Sequence, residues 1–164
     1  MFSRSVTRPD PAPCVDEAAD ARPLGTVCCA CRFDAIAGAL AHLICHLPPD
    51  LTDDDEPAAL SYRVEQAGAE VLNNIVEHAY KGSPDGEIQA AIWLAQGSFF
   101  LVTRDRGRPF APVPPITSAR DESPVDLELL PDRGFGWPII RGSADDIAYD
   151  RIDGWNVLIL EFRA

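Results

Sequence analysis

Residues 70 to 80, EVLNNIVEHAY, place Glu70, Asn73, Asn74, Glu77 and His78 among Val71, Leu72, Ile75 and Val76. On an α-helix turning about 100° per residue, Glu70, Asn74 and His78 drift slowly along one face. Asn73 and Glu77 lie beside them, while Val71, Leu72, Ile75, Val76 and Ala79 cover the opposite side. Such a polar face can simply be solvated. It can also line a pocket, where an Asn ligates a hard cation through its carbonyl oxygen and a Glu one turn earlier acts as a base. Two asparagines in mid-helix count against the first reading, because Asn is a poor helix former and no cap position explains either.

Two further stretches have residue types suited to chemistry. In VTRDRGRPF, residues 102 to 110, an apolar strand ends in Asp105 and Gly107 follows two residues later. A turn explains this. So does a carboxylate buried at a strand end to accept a hydrogen bond from an exocyclic amine, with the glycine letting the backbone approach a ring closely. In PDRGFGWPIIR, residues 131 to 141, Gly134 and Gly136 open a predicted helix. Glycines there free amide N–H groups for phosphate, and a tight turn uses them equally well.

The elements that must position these residues can be read along the chain. Its 164 residues suit one domain with one core. Residues 1 to 23 hold four prolines and no periodicity, which predicts a loosely attached arm. LGTVCCACRF is predicted as a strand, and DAIAGALAHLICHL as a helix with Asp34 as its N-cap. After the break PPDLTDDDEP, a long helix is predicted from about Ala58 to Tyr80, ended by Lys81 and Gly82. EIQAAIWLA and SFFLVTRD form a hairpin turning at Gln96-Gly97. A proline-rich segment, from about Ala111 to Asp132, is long enough to be a lid. WPIIRGSADD is a short helix, and IAYDRIDGWNVLILEFRA closes the chain as a hairpin turning at Asp153-Gly154. Helices grouped on one face of a mostly antiparallel sheet make an α+β two-layer sandwich.

Composition limits the function. The net charge is −12 with only 14 Lys and Arg, which argues against binding a phosphate backbone and hence nucleic acid. No apolar run approaches the ~20 residues of a membrane span, and the first residues carry no apolar block of a secretory signal, so the expected location is cytoplasmic. Cys28, Cys31, His42 and His46 read C-x2-C-x10-H-x3-H, near the spacing of a small zinc finger. The central gap is about two residues short of that pattern, and the cysteines fall in a predicted strand rather than a turn. The alternative is that the thiols are small buried apolar side chains, with His42 and His46 one helical turn apart on a helix surface.

Taken in order, the three polar stretches resemble the Bergerat-type ATP-binding fold of the gyrase, histidine kinase and MutL superfamily. Glu70 and Asn74 match its N box, Asp105 and Gly107 its first glycine box, and Gly134 and Gly136 its second. EVLNNIVEHAY, DRGRPFAP, GFGWPIIR and the closing hairpin are similar to motifs of the anti-sigma factor serine/threonine kinases, over about residues 24 to 164. Asp132 and Arg133 stand where that family often has glycine, Trp137 where Leu is usual, and Asn73 where Thr is often found.

The resemblance implies a histidine kinase-like ATPase domain over residues 24–164 that uses ATP and Mg²⁺ to phosphorylate a Ser or Thr of a STAS-type anti-anti-sigma partner. It also implies sigma-factor binding and a homodimer, with the strand around Cys28 to Cys31 as its interface. Asp105 would accept the adenine amine, and Gly107 would give backbone approach. Asn74 would ligate Mg²⁺, while Gly134, Gly136 and Arg133 would meet the phosphates. Glu70 would orient or deprotonate the acceptor hydroxyl. An ATP-responsive sigma-binding module without kinase activity, and a detached histidine kinase catalytic domain, remain as alternatives.

Overall fold

The computed structural model describes residues 20–49, 60–83, 85–109 and 136–163. Most of the N-terminal arm, the lid segment from Ala111 to Asp132, and the candidate residues Arg133 and Gly134 lie outside them. The element order is β1 (Arg22–Ala30), α1 (Phe33–Ile44), α2 (Leu60–Asn74), a π-helical turn (Ile75–Ala79), β2 (Glu87–Ala95), β3 (Ser98–Asp105), α3 (Gly136–Ser143), β4 (Asp146–Ile152) and β5 (Trp155–Arg163). The strands form one antiparallel sheet in the order β1-β2-β3-β5-β4. The helices pack on one face of it, the α+β arrangement expected from the sequence.

Strand alternation explains the near-continuous apolar runs. Ile88, Ala90 and Ile92 of β2 join Leu101 of β3 and Leu160 of β5 in the core shared with the helices. Ala91, Trp93, Val102 and Ile159 form a second apolar cluster on the opposite face. Central strands buried on both faces lose the polar alternation of a half-exposed sheet. Among the helix-side side chains, Leu43, Ile140 and Phe162 are fully buried, each contributing about 1.5–3 kcal/mol of transfer free energy.

Both hairpins turn where the dipeptides predict. Gln96 and Gly97 have φ of 51° and 77°, and Asp153 and Gly154 have 50° and 82°. Paired left-handed residues are what a type I′ turn requires.

Three local expectations are corrected. The first strand starts at Arg22 and ends at Ala30, so Cys31 lies beyond it and Phe33 opens α1. Asp34 is not the N-cap of α1. Arg32 holds that position without a side-chain cap, and Asp34 sits in the first turn, 3.1 Å from the Arg32 guanidinium. A carboxylate there still favours the positive end of the helix. Finally, the long helix is not α-helical to Tyr80. Its last turn is a π turn, closed by Tyr80 N–H donating to Ile75 C=O at 3.2 Å, five residues back. Lys81 and Gly82, at φ of 52° and 74°, end it as expected.

Arg63 ties α2 to the far end of α3. Its Nε donates to Ser143 C=O and its Nη1 to Arg163 C=O, each at 2.9 Å, and Nη2 pairs with Asp145. α3 is thereby held against α2, with its first residue over the polar face of that helix. Among the described residues no helix is long and apolar enough to cross a membrane.

Candidate functional site

The roll of α2 is set by its apolar stripe. Val71, Leu72, Ile75 and Val76 are each at most 1% exposed. That packing turns Glu70 and Asn74, both half-buried, toward the start of α3. A Cβ on Gly136 would lie 2.9 Å from Glu70 Oε2 and 3.2 Å from Asn74 Nδ2. The first residue of α3 therefore presses on both side chains, and glycine permits that approach. Asn74 Nδ2 is buried and has no hydrogen-bond partner among the described residues. Leaving a buried polar atom unsatisfied costs about 1–3 kcal/mol, a cost that a bound polar ligand would remove. Rotation of the amide by half a turn exchanges its nitrogen and oxygen, so the same pocket can meet a cation or a donor with the Asn74 oxygen. Glu77 and His78 are exposed, and the π turn interrupts the polar face that the sequence extends through them.

The second group lies at the end of β3. Asp105 is only 1% exposed and stands opposite Asn156 of β5. Its Oδ1 accepts from Asn156 Nδ2 at 2.9 Å and from the Gly107 N–H at 2.7 Å. Both bonds fall on one oxygen, and Oδ2 has no partner among the described residues. Burial pushes the Asp105 carboxyl above the ordinary aspartate range, and the two hydrogen bonds and the Arg151 charge offset this only in part. A strand-end carboxylate so placed can accept a hydrogen bond from a ligand amine.

Gly107 is required by contact. A Cβ there would lie 2.6 Å from Ala79 Cβ and 2.8 Å from the Ala79 carbonyl carbon and oxygen. Arg108 N–H donates to the same carbonyl at 2.9 Å. The loop after β3 is thus laid on the π turn that continues the helix of Glu70 and Asn74. Tyr80 helps hold it. Its hydroxyl accepts from Arg106 N–H at 2.9 Å, and its ring packs where Gly86 lacks a side chain.

The structure brings together Glu70, Asn74 and Gly136, and binds Asp105 to Gly107 beside the same helix. Sequence reasoning missed Asn156, which is 1% exposed and central to the second group. Besides its bond to Asp105, its Nδ2 reaches Arg108 C=O at 3.1 Å, while its Oδ1 accepts from Tyr149 Oη at 2.9 Å and from Arg151. Arg151 also donates to Gly107 C=O at 3.2 Å. The one signal was an asparagine interrupting the apolar run WNVLILEF.

The zinc-finger spacing is not assembled. Cys28 lies on β1 and Cys31 is buried beyond it, whereas His42 and His46 gather with Cys45. Burial and the neighbouring Glu87 push the Cys28 thiol up to about 12, and burial and Asp105 push Cys31 up to about 11. Cys31 is a buried apolar side chain as expected, whereas Cys28 is exposed on the strand.

Comparison with known proteins gives two findings. The family profile of the histidine kinase-like ATPase domain matches residues 41–162. The chain is also similar to the serine/threonine-protein kinase BtrW of Bordetella bronchiseptica, with 27% identity over 107 residues, covering 63% of this chain and 70% of that protein.

Proposed function

Because the chain belongs to the histidine kinase-like ATPase domain family, we propose that it is an ATP-dependent serine/threonine protein kinase and anti-sigma factor, which phosphorylates a STAS-domain anti-anti-sigma protein and binds a sigma factor. The observation that carries this reading is the unpartnered, buried Asn74 amide beside Glu70, beneath the glycine that opens α3. Glu70 beside it supplies a carboxylate suited to take a proton from an acceptor hydroxyl. The likeness to a serine/threonine kinase favours a hydroxyl acceptor over a histidine.

The donor set fits Mg-nucleotide. Asn74 would hold Mg²⁺ through its side-chain oxygen, and the ion would neutralise charge on the phosphates. Such neutralisation matters for a chain of net charge −12. Asp105 accepts a hydrogen bond from the adenine amino group, fixing the base. Gly107, whose missing side chain already admits Ala79, brings backbone against the ring. Gly136 at the start of α3 faces the phosphates, with Gly134 and Arg133 assigned to them from the sequence alone. Glu70 orients the acceptor hydroxyl and removes its proton. In phosphoryl transfer such positioning and charge compensation carry most of the rate enhancement.

Among the described residues β1 is an edge strand, which suits a homodimer pairing there, and action on a sigma factor implies a cytoplasmic protein. Incubation with radiolabelled ATP, Mg²⁺ and a panel of STAS proteins tests the proposal. Acid-stable label on Ser or Thr of one partner, lost with Glu70→Gln, is expected. Nucleotide-dependent sigma binding without transfer would make the protein a binding module, and acid-labile label would make it a histidine kinase domain.

A further inference from the structure

At the C-terminal end of α1, far in sequence from the nucleotide motifs, His42, Cys45 and His46 converge. All three are exposed, and one ligand atom from each lies within 4.8 Å of the others. The two imidazole centroids are 4.8 Å apart, with the rings inclined at 64°. Cys45 Sγ is 3.4 Å from His46 Nδ1.

One hydrogen bond orients His46 for a cation. His46 Nδ1 lies 2.7 Å from the His42 backbone carbonyl. A carbonyl oxygen only accepts, so Nδ1 carries the proton, and in the neutral ring Nε2 keeps its lone pair. Metal-ligating histidines are typically held in this way, with the second ring nitrogen donating to a backbone carbonyl. The ring is also fixed from the sheet side. A Cβ on Gly25 would lie 2.7 Å from His46 Cγ, so the ring occupies space that any other residue of β1 would fill. Gly25 follows a register shift between Pro23 and Gly25 in the β1–β2 pair, and such bulges re-aim a strand locally. Cys45 Sγ lies 3.0 Å from the same His42 carbonyl, as a thiol donor.

We propose that His42, Cys45 and His46 form a binding site for one zinc ion, a site distinct from the nucleotide pocket. Two imidazoles and one thiolate match the borderline-soft character of Zn²⁺ and disfavour Mg²⁺ and Ca²⁺, which take oxygen ligands. Bonds of about 2.0–2.3 Å place tetrahedral ligands roughly 3.3–3.8 Å apart, which the exposed His42 and Cys45 side chains reach by rotamer adjustment around the held His46 ring. The Cys45 thiol gives its proton to solvent as the Zn–S bond forms. The fourth position is left for water, as in open zinc sites with three protein ligands. The ion would lock the end of α1 to itself, and through His46 to the sheet edge at Gly25.

The test uses the full chain after chelator treatment, titrated with Zn²⁺ against a chromophoric chelator and with Co²⁺ as a spectroscopic stand-in. One tightly held equivalent is expected, with a thiolate-to-cobalt charge-transfer band and tetrahedral ligand-field bands. Cys45→Ser, His42→Gln and His46→Gln should each weaken Zn²⁺ binding by on the order of 10–100-fold or more, and Cys45→Ser should abolish the charge-transfer band. Cys14→Ser, Cys28→Ser and Cys31→Ser should leave both unchanged. Added Zn²⁺ should raise the unfolding midpoint of wild type and leave that of each ligand variant where it stands without metal. Absence of a one-equivalent site, or binding that survives any one of the three ligand substitutions unchanged, overturns the proposal.

Discussion

The Asn156 amide donates to Asp105 Oδ1 at 2.9 Å across the β3–β5 pair, both residues being 1% exposed. This buried bond orients the carboxylate proposed to meet adenine, and Oδ2 makes no bond to the described residues. Asn156→Leu should leave the strand pairing intact but weaken ATP binding by roughly 10-fold or more, the equivalent of about 1.4 kcal/mol. Asn156→Asp should weaken it further, because a second buried carboxylate would repel the first. Titration calorimetry on the two variants checks both results.

Asp105 should trade stability for function. Its pKa in the folded chain is raised, chiefly by burial. Between the ordinary aspartate pKa and that raised value the native state binds more protons than the unfolded one, so stability falls as pH rises through the window. Asp105→Asn keeps an oxygen to accept from Asn156 and Gly107 and removes the buried charge. It should flatten that part of the pH profile and be no less stable than wild type at neutral pH, while losing ATP binding. Urea unfolding at a series of pH values measures the effect.

The two site glycines should respond differently to a methyl group. At Gly107 the new Cβ would meet the Ala79 backbone at 2.8 Å, which cannot move cheaply. Gly107→Ala should cost about 1–3 kcal/mol of stability. At Gly136 the nearest atom is Glu70 Oε2 at 2.9 Å, the end of a flexible side chain. Gly136→Ala should cost little stability and should lower phosphoryl transfer by displacing Glu70. Thermal melts and transfer assays on the same preparations separate the two.

Most of the fold was legible in the sequence, since strand alternation, both I′ hairpins and the Lys81-Gly82 stop are local signals. The π turn was not: it sets the Ala79 carbonyl against Gly107 and Arg108, a contact between distant segments that no local signal marks. The Asp34 cap failed for a similar reason: the chain turns into α1 at Arg32, and the sequence does not reveal that bend. Glu70, Asn74, Asp105, Gly107 and Gly136 could be found from motif spacing. Asn156 could not, since its importance rests on the β3–β5 register that sets it opposite Asp105. Arg151 enters through the separate β4–β5 register, which sets it opposite Asn156, with Tyr149 two residues away on the same strand.

Arg63 should matter for α3 more than for the chemistry. Burial alone would raise the Asp145 carboxyl, but hydrogen bonds from Arg163 N–H and Arg63, with both guanidinium charges, hold it below the ordinary range. The stability this gives is complete above the ordinary aspartate pKa and is lost as pH falls through the depressed value. Arg63→Ala should cost about 1–3 kcal/mol near neutral pH and shift acid unfolding to higher pH. Circular dichroism during acid titration reads that shift.

The central claim is that the buried carboxylate and the unpartnered amide belong to one Mg-nucleotide pocket. Calorimetric titration with ATP, with and without Mg²⁺, on wild type, Asp105→Asn and Asn74→Ala tests it most directly. Binding is expected to depend on Mg²⁺, to be abolished or sharply weakened by Asp105→Asn, and to lose its Mg²⁺ dependence in Asn74→Ala. Absence of binding to wild type under either condition, or equal affinity in all three proteins, would contradict it.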